Sequence, residues 1–197
     1  MGNLRSVENA VYQNGFDPVI VNDATAFDDL SHLIIPGVGN FGAAMPEIGR
    51  RSLRQPILDF VASRRPVLGA CLGMQLMMAT GEEGGIKAGL GLIAGRVVLL
   101  DPPGILRVPH VGWNVLNVLR AHPVFEGIKS GRDFYFVHSY AVQCEREIDV
   151  LGTTDYGGAV TAVIGCANVI GFQFHPEKSQ VNGLKLIENF CQWDGQC

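Results

Sequence analysis

Apolar residues recur along this chain in two periods. In 3–14 they fall at Leu4, Val7 and Val11, the spacing of one helix face, and Gly15 follows as a natural stop. The runs PVIV (18–21) and LII (33–35) predict short strands. A helix is expected over 55–65, with Pro56 in its first turn and Ile57, Phe60 and Val61 on one face. The pattern then predicts a buried strand over 66–70 and a helix over 72–80. Strands alternating with helices imply crossovers, hence an α/β fold with a parallel sheet. The second half predicts strands at 95–100, 108–118, 133–140, 148–153, 158–165 and 168–174, with CAN (166–168) as a hairpin turn. A closing helix spans 181–193, where Leu184, Ile187 and Phe190 are periodic, and the glycine-rich stretch 81–91 reads as a loop. No repeat or linker divides the chain, so 1–197 is read as a single domain.

Composition narrows the class. Of 197 residues, 47% are hydrophobic and 17% charged, which suits a packed core and not a disordered chain. A net charge of -4 gives no electrostatic reason to expect nucleic acid or anionic lipid as a partner. The five cysteines are odd in number and lack a C-x-x-C pair, which argues against a disulfide scaffold or zinc site and for a reducing, cytoplasmic setting. The opening residues have no secretory pattern, and no apolar run is long enough for a bilayer.

The candidate chemistry centres on Gly69-Ala70-Cys71-Leu72-Gly73, at the junction of a predicted strand and helix. A nucleophile on such a corner is lifted above the sheet, and glycines at -2 and +2 relieve the crowding of the turn. The following helix directs its positive end and free N–H groups at the sulfur. Alone, the motif fits a buried structural cysteine equally well. His175, in GFQFHPEKS (171–179), ends a strand at its C-terminal tip, where α/β proteins place their sites. Glu177 lies two residues on and can hold one ring nitrogen of His175, completing a nucleophile, base and orienter. Taken singly, His-Pro-Glu also fits a solvated strand end. The loop Pro36-Gly37-Val38-Gly39 can turn an N–H toward developing negative charge, or be an ordinary turn.

Together and in this order, these pieces resemble the class I (triad) glutamine amidotransferases. The strings that carry the resemblance are MGNLRSV (1–7), PGVGNFG (36–42), GACLGMQLM (69–77), VPHVGWN (108–114), FYFVHSY (134–140) and GFQFHPEKS (171–179). VPHVGWN and FYFVHSY are most similar to the subfamily of glutaminase subunits that serve imidazole glycerol phosphate synthase in histidine biosynthesis. The resemblance implies a three-layer α/β fold of flavodoxin or Rossmann type, with a mixed, mostly parallel central sheet flanked by helices. It implies attack of Cys71 on the side-chain amide of glutamine, with His175 as base and Glu177 as its orienter. It assigns the oxyanion to the N–H of Leu72 and to Val38–Gly39, and the amino-acid end of the substrate to Gln75, Glu83, Ser139 and Tyr140. No metal or cofactor is implied. The implied partner is a (β/α)₈ cyclase subunit, faced by Asn3, Trp113, Tyr135 and Lys178, which receives the ammonia and forms imidazole glycerol phosphate and an aminoimidazole carboxamide ribonucleotide. Trp113 and Tyr135 could as readily be core residues. In the family an apolar strand precedes the MGN segment. Here Met1 comes first, so the sheet is expected to lack that strand, about 6–10 residues.

Three other readings compete. A glutaminase of the same kind could feed a sugar-modifying amidotransferase. A cysteine hydrolase could use the same fold, although Gln75 and the PGVG loop speak against it. A non-catalytic binding subunit would have no use for the Cys71–His175–Glu177 set.

Overall fold

A computed structural model describes residues 4–196. Five α-helices and eleven strands make up the described residues, the helices falling in the first half and at the end. The first half comprises α1 (Leu4–Gln13), β1 (Leu33–Gly37), α2 (Phe41–Arg50), α3 (Arg54–Ala62), β2 (Val67–Cys71), α4 (Leu72–Leu76), β3 (Met78–Gly81) and β4 (Lys87–Ala88). Strands β5 (Ile93–Leu99), β6 (His110–Val118), β7 (Arg132–His138), β8 (Tyr140–Cys144), β9 (Val150–Asp155), β10 (Ala159–Cys166) and β11 (Val169–Phe172) follow, and α5 (Gln180–Gln192) closes the fold.

The main sheet has the order β1-β2-β11-β10-β9-β6-β7. Pairing is parallel from β1 through β2 to β11 and antiparallel from there to β7, so the sheet is mixed. Helices α2 and α3 cross over between β1 and β2, which are parallel; β11 joins β2 in parallel after the intervening strands, and the hairpin turn at 166–168 makes β10 and β11 antiparallel. All five residues of β2 are buried, because strands flank it on both edges and side chains cover both faces. Its alternate residues divide the core. Val67 packs with Ile57 and Phe60 of α3 on one face, and Leu68 with Leu186 and Phe190 of α5 on the other. On the α5 side, α1 adds Ala10 and Val11 against Ile187, and Asn14 Nδ2 donates 3.0 Å bonds to Ala10 and Leu184 carbonyls, tying the two helices.

Three expectations need correction, and one helix had no counterpart among them. PVIV (18–21) is not a strand: it forms no ladder among the described residues, and Val19 and Ile20 are exposed. A strand needs a partner edge, and these residues have none there. The helix expected over 72–80 stops at Leu76, and 78–81 becomes β3 of a second, four-stranded sheet, β4-β3-β5-β8. The carbonyls of Leu76, Met77 and Met78, which a longer helix would bond internally, instead accept N–H groups from residues 90–93 at 2.8–3.2 Å. The strand expected over 133–140 breaks at Ser139, where the chain leaves the main sheet as β7 and enters the second as β8. Finally, α2 was not foreseen, because it contains two internal glycines and Pro46. It holds because Asn40 Oδ1 caps Ala43 N–H at 3.0 Å and Glu83 Oε2 accepts from Phe41 N–H at 2.7 Å. Pro46 cannot donate to the Gly42 carbonyl, and Lys87 Nζ takes that place at 2.7 Å.

Candidate active site

The site begins at the end of β2. Cys71 has φ 51 and ψ -108, a conformation few side chains adopt, and α4 starts at the next residue. The glycines on either side are required by contact. A Cβ on Gly69 would lie 2.6 Å from the backbone of Gly73 and Met74, and one on Gly73 would lie 1.8 Å from the Ile35 carbonyl oxygen. The elbow therefore folds back against both its own strand and β1. Cys71 is 7% exposed. Leu72, at the first position of α4, has an N–H to which the helix supplies no partner.

His175 lies beyond the end of β11, where its N–H donates 2.9 Å to the Tyr135 carbonyl of β7. Its Nδ1 is 2.7 Å from Glu177 Oε1, and the two side chains are 2% and 0% exposed. Nδ1 being engaged by the carboxylate, Nε2 is the nitrogen left to serve Cys71. Burial pulls the imidazole down, but hydrogen bonding to the Cys71 sulfur and to Glu177 outweighs it and raises His175 to about 9. By contrast, burial pushes the Cys144 thiol up to about 12 and that of Cys191 to about 11, which leaves them protonated and inert.

The remaining residues singled out from the sequence sort as follows. Gly37 stands directly beside Cys71 in the β1–β2 register, so Val38 and Gly39 enter the loop next to the sulfur. Gly39 has φ 121, a left-handed conformation that glycine tolerates, and Val38 is partly exposed. Gln75 is buried, and its Nε2 donates to Tyr140 O at 3.0 Å and to Gln173 Oε1 at 3.1 Å. Both amide hydrogens are thus committed, and Oε1 is what it can present to an ammonium group. Ser139 O accepts from Leu100 N–H at 2.8 Å, and the Glu83 carboxylate is engaged at the start of α2.

Trp113 and Tyr135 face each other across β6 and β7, ring centroids 5.9 Å apart, and Lys178 Nζ lies 5.9 Å from the Tyr135 ring. Trp113 is 49% exposed and so belongs to the surface, not the core. This patch is wired to the base: Tyr135 N–H donates to Ser179 Oγ at 3.0 Å, and that hydroxyl donates to His175 O at 2.6 Å. Asn3 lies outside the described residues. Among the described residues, no three or more His, Cys, Asp or Glu are gathered as for a metal ion, and no helix is long and apolar enough to cross a membrane.

Gln173 escaped the sequence reading. It is fully buried and its Nε2 lies 3.8 Å from Cys71 Sγ. The signal was present: a polar residue between Phe172 and Phe174, two before His175, in an otherwise apolar strand end.

Cys71 at the elbow and the buried His175–Glu177 pair thus stand at one rim of a mixed α/β sheet, with the Cys71 sulfur among the groups that raise His175. The chain belongs to the Glutamine amidotransferase class-I family, which it matches over residues 2–193. It is 48% identical over 190 residues to "Imidazole glycerol phosphate synthase subunit HisH" of Rhodopirellula baltica, covering 96% of this chain and 92% of that protein. It is 46% identical over 191 residues to the protein of the same name in Aquifex aeolicus, with 96% and 91% covered. Solved structures share the fold at lower identity. One titled as a glutamine amidotransferase superposes with TM-score 0.75 at 18% identity, covering 97% of this chain and 93% of that one. The PurLQS structure from Thermotoga maritima does so with TM-score 0.77, also at 18% identity, covering 97% and 92%.

Proposed function

We propose that this chain is the glutaminase subunit of a cytoplasmic, heterodimeric imidazole glycerol phosphate synthase. It hydrolyses glutamine to glutamate and ammonia and passes the ammonia to a (β/α)₈ cyclase subunit. The observation that carries the chemistry is the 2.7 Å contact between His175 Nδ1 and Glu177, with Cys71 acting on the other side of the same buried ring.

In the first step the Cys71 sulfur attacks the side-chain amide carbon of glutamine, and His175 holds the thiol proton. The tetrahedral oxygen is held by N–H groups of Leu72 and of the Val38–Gly39 loop. His175 then protonates the leaving nitrogen, ammonia departs and a thioester remains. Water, deprotonated by His175, opens the thioester to glutamate and restores the thiol. Glu177 keeps the ring oriented and stabilises its charged form. Gln75 Oε1, Glu83 and the Ser139–Tyr140 backbone receive the amino-acid end of the substrate.

Ammonia explains the partner. In bulk water it is protonated and loses the lone pair it needs as a nucleophile, so it must be handed over under cover. Trp113 and Lys178 are exposed and Tyr135 is half-buried beside them, a patch with the aromatic and cationic composition of an interface hot spot whose backbone connects to His175. Names of relatives at 46–48% identity support the pathway assignment.

The test is Cys71→Ala in the complex with the cyclase. Glutamine-dependent cyclisation is expected to vanish while added ammonium still supports the reaction. If the variant hydrolysed glutamine, the nucleophile would be misassigned. If the wild-type chain failed to copurify with the cyclase, the pathway assignment would fall while the hydrolytic chemistry could stand.

A further inference from the structure

A continuous hydrogen-bonded chain runs from β6 to the Cys71 sulfur, and its direction is set at both ends. His110 and His138 face each other across the β6–β7 register and are 2% and 5% exposed. His138 Nδ1 lies 2.8 Å from the Tyr140 carbonyl oxygen. A carbonyl only accepts, so His138 carries its proton on Nδ1. His138 Nε2 lies 3.0 Å from His110 Nδ1. With His138 neutral, Nε2 accepts, so His110 also carries its proton on Nδ1 and presents Nε2 as an acceptor. Asn114 Nδ2 meets that nitrogen at 3.2 Å.

The far end gives the same direction independently. Asn114 Nδ2 also donates to Asp155 O at 2.8 Å, while its Oδ1 accepts from Val115 N–H at 2.8 Å. Backbone groups thus settle which way the Asn114 amide faces, and every bond from Asn114 through His110 and His138 to Tyr140 O has one donor and one acceptor. A proton on either ring's second nitrogen would set N–H against N–H. Burial agrees, holding both imidazoles near 4, well below their ordinary range; for His138 the neighbouring His110 and His175 add to this, while the bond to Tyr140 opposes it.

Beyond Tyr140 the chain continues inward. The same carbonyl accepts Gln75 Nε2 at 3.0 Å, which forces the nitrogen of Gln75 to face that way. The second hydrogen of that nitrogen goes to Gln173 at 3.1 Å, so Gln173 must answer with its oxygen. Its Nε2 is then the atom turned to the sulfur, at 3.8 Å. Fully buried, Gln173 has no solvent to rotate toward.

We propose that Gln173 is a further catalytic residue, an N–H donor to the Cys71 thiolate beside His175, and that Asn114, His110 and His138 are positioning residues supporting the Tyr140 carbonyl that fixes its orientation. This rests on Cys71 being the nucleophile. The titratable groups around the sulfur are His175, backed by Glu177, and His138 behind the Tyr140 carbonyl; none of these replaces a neutral donor on the sulfur.

Two measurements on the full chain test it. Nitrogen-15 NMR of histidine-labelled protein should show both His110 and His138 as Nδ1–H tautomers; an Nε2–H form of either ring overturns the positioning chain. Gln173→Glu keeps the shape and an acceptor for Gln75 but replaces the donor with a carboxylate facing the sulfur, whereas Gln173→Met removes the donor and adds no charge, so both variants are measured. The ultraviolet thiolate absorbance that Cys71→Ser abolishes should fall about tenfold in Gln173→Glu at one mildly alkaline pH. Equal absorbance in the wild type and the variant, including none in either, overturns the role of Gln173. Gln173→Met is expected to lower the absorbance as well; a fall in Gln173→Glu with none in Gln173→Met assigns the effect to the added carboxylate and also overturns the role of Gln173. Labelling of wild-type Cys71 by a thiol-reactive glutamine analogue reports separately on the nucleophile, so the two ideas fail by different results.

Discussion

His175 Nδ1 and Glu177 Oε1 are 2.7 Å apart although only Pro176 separates them in the chain. The single turn Pro176–Lys178 bends the backbone so that the carboxylate reaches back to the ring. Glu177→Gln keeps the shape and removes the charge. Glutamine hydrolysis by the complex is expected to fall about a hundredfold or more, with the affinity for glutamine changed little, because the loss is in orienting and charging the base. His175 should also titrate lower than in the wild type, which proton NMR of its ring would record. An unchanged rate would remove Glu177 from the site.

The two kinds of histidine give stability opposite dependences on pH. His175 is raised from 6.5 to about 9 in the folded chain, so its contribution is complete below pH about 6.5 and lost as pH rises through about 9. His110, His122 and His138 are lowered from 6.5 to about 4 by burial. The unfolded chain binds those protons first, so their contribution is lost as pH falls from about 6.5 toward 4. Urea midpoints across this range should fall on both sides. Cys71→Ala should flatten the alkaline side, since the Cys71 sulfur is among the groups that raise His175. A midpoint that kept rising above pH 8 would contradict the sign.

Glycines near the elbow are expected to differ sharply in tolerance. Gly73→Ala drives a Cβ to 1.8 Å from the Ile35 carbonyl, backbone against backbone, and should cost about 3 kcal/mol or more or prevent folding. Gly39→Ala meets nothing within 4 Å, and only its φ of 121 is strained, a cost of about 1–2 kcal/mol. The Gly39 variant should therefore fold and lose activity more than stability. Denaturant unfolding of both variants checks the order.

Lys87 and Pro46 should be coupled. Lys87→Met leaves the Gly42 carbonyl without its donor and should cost about 1–2 kcal/mol. In a Pro46→Ala background the new N–H reaches that carbonyl within α2, and the same substitution should cost about 1 kcal/mol less. Additive effects in the double-mutant cycle would mean that the lysine does not substitute for the helix bond.

The local pattern of the chain by itself determined α1, α3 and α5, because Val7 and Val11, Ile57 and Phe60, and Ile187 and Phe190 repeat at the helical period. It also determined the elbow, since only Gly-x-Cys-x-Gly relieves that turn, and the closeness of His175 to Glu177, which is a matter of two residues. Tertiary structure decided the rest. Helix α2 depends on Glu83 and Lys87, more than thirty residues away in the chain. The end of α4 depends on residues 90–93 taking its carbonyls. The meeting of Cys71 with His175 and Gln173, and of His110 with His138, depends on which strands pair and in what register. Periodicity reports which face of an element is apolar; it carries no information about which distant edge supplies the hydrogen-bond partner, and that edge is where this site was assembled.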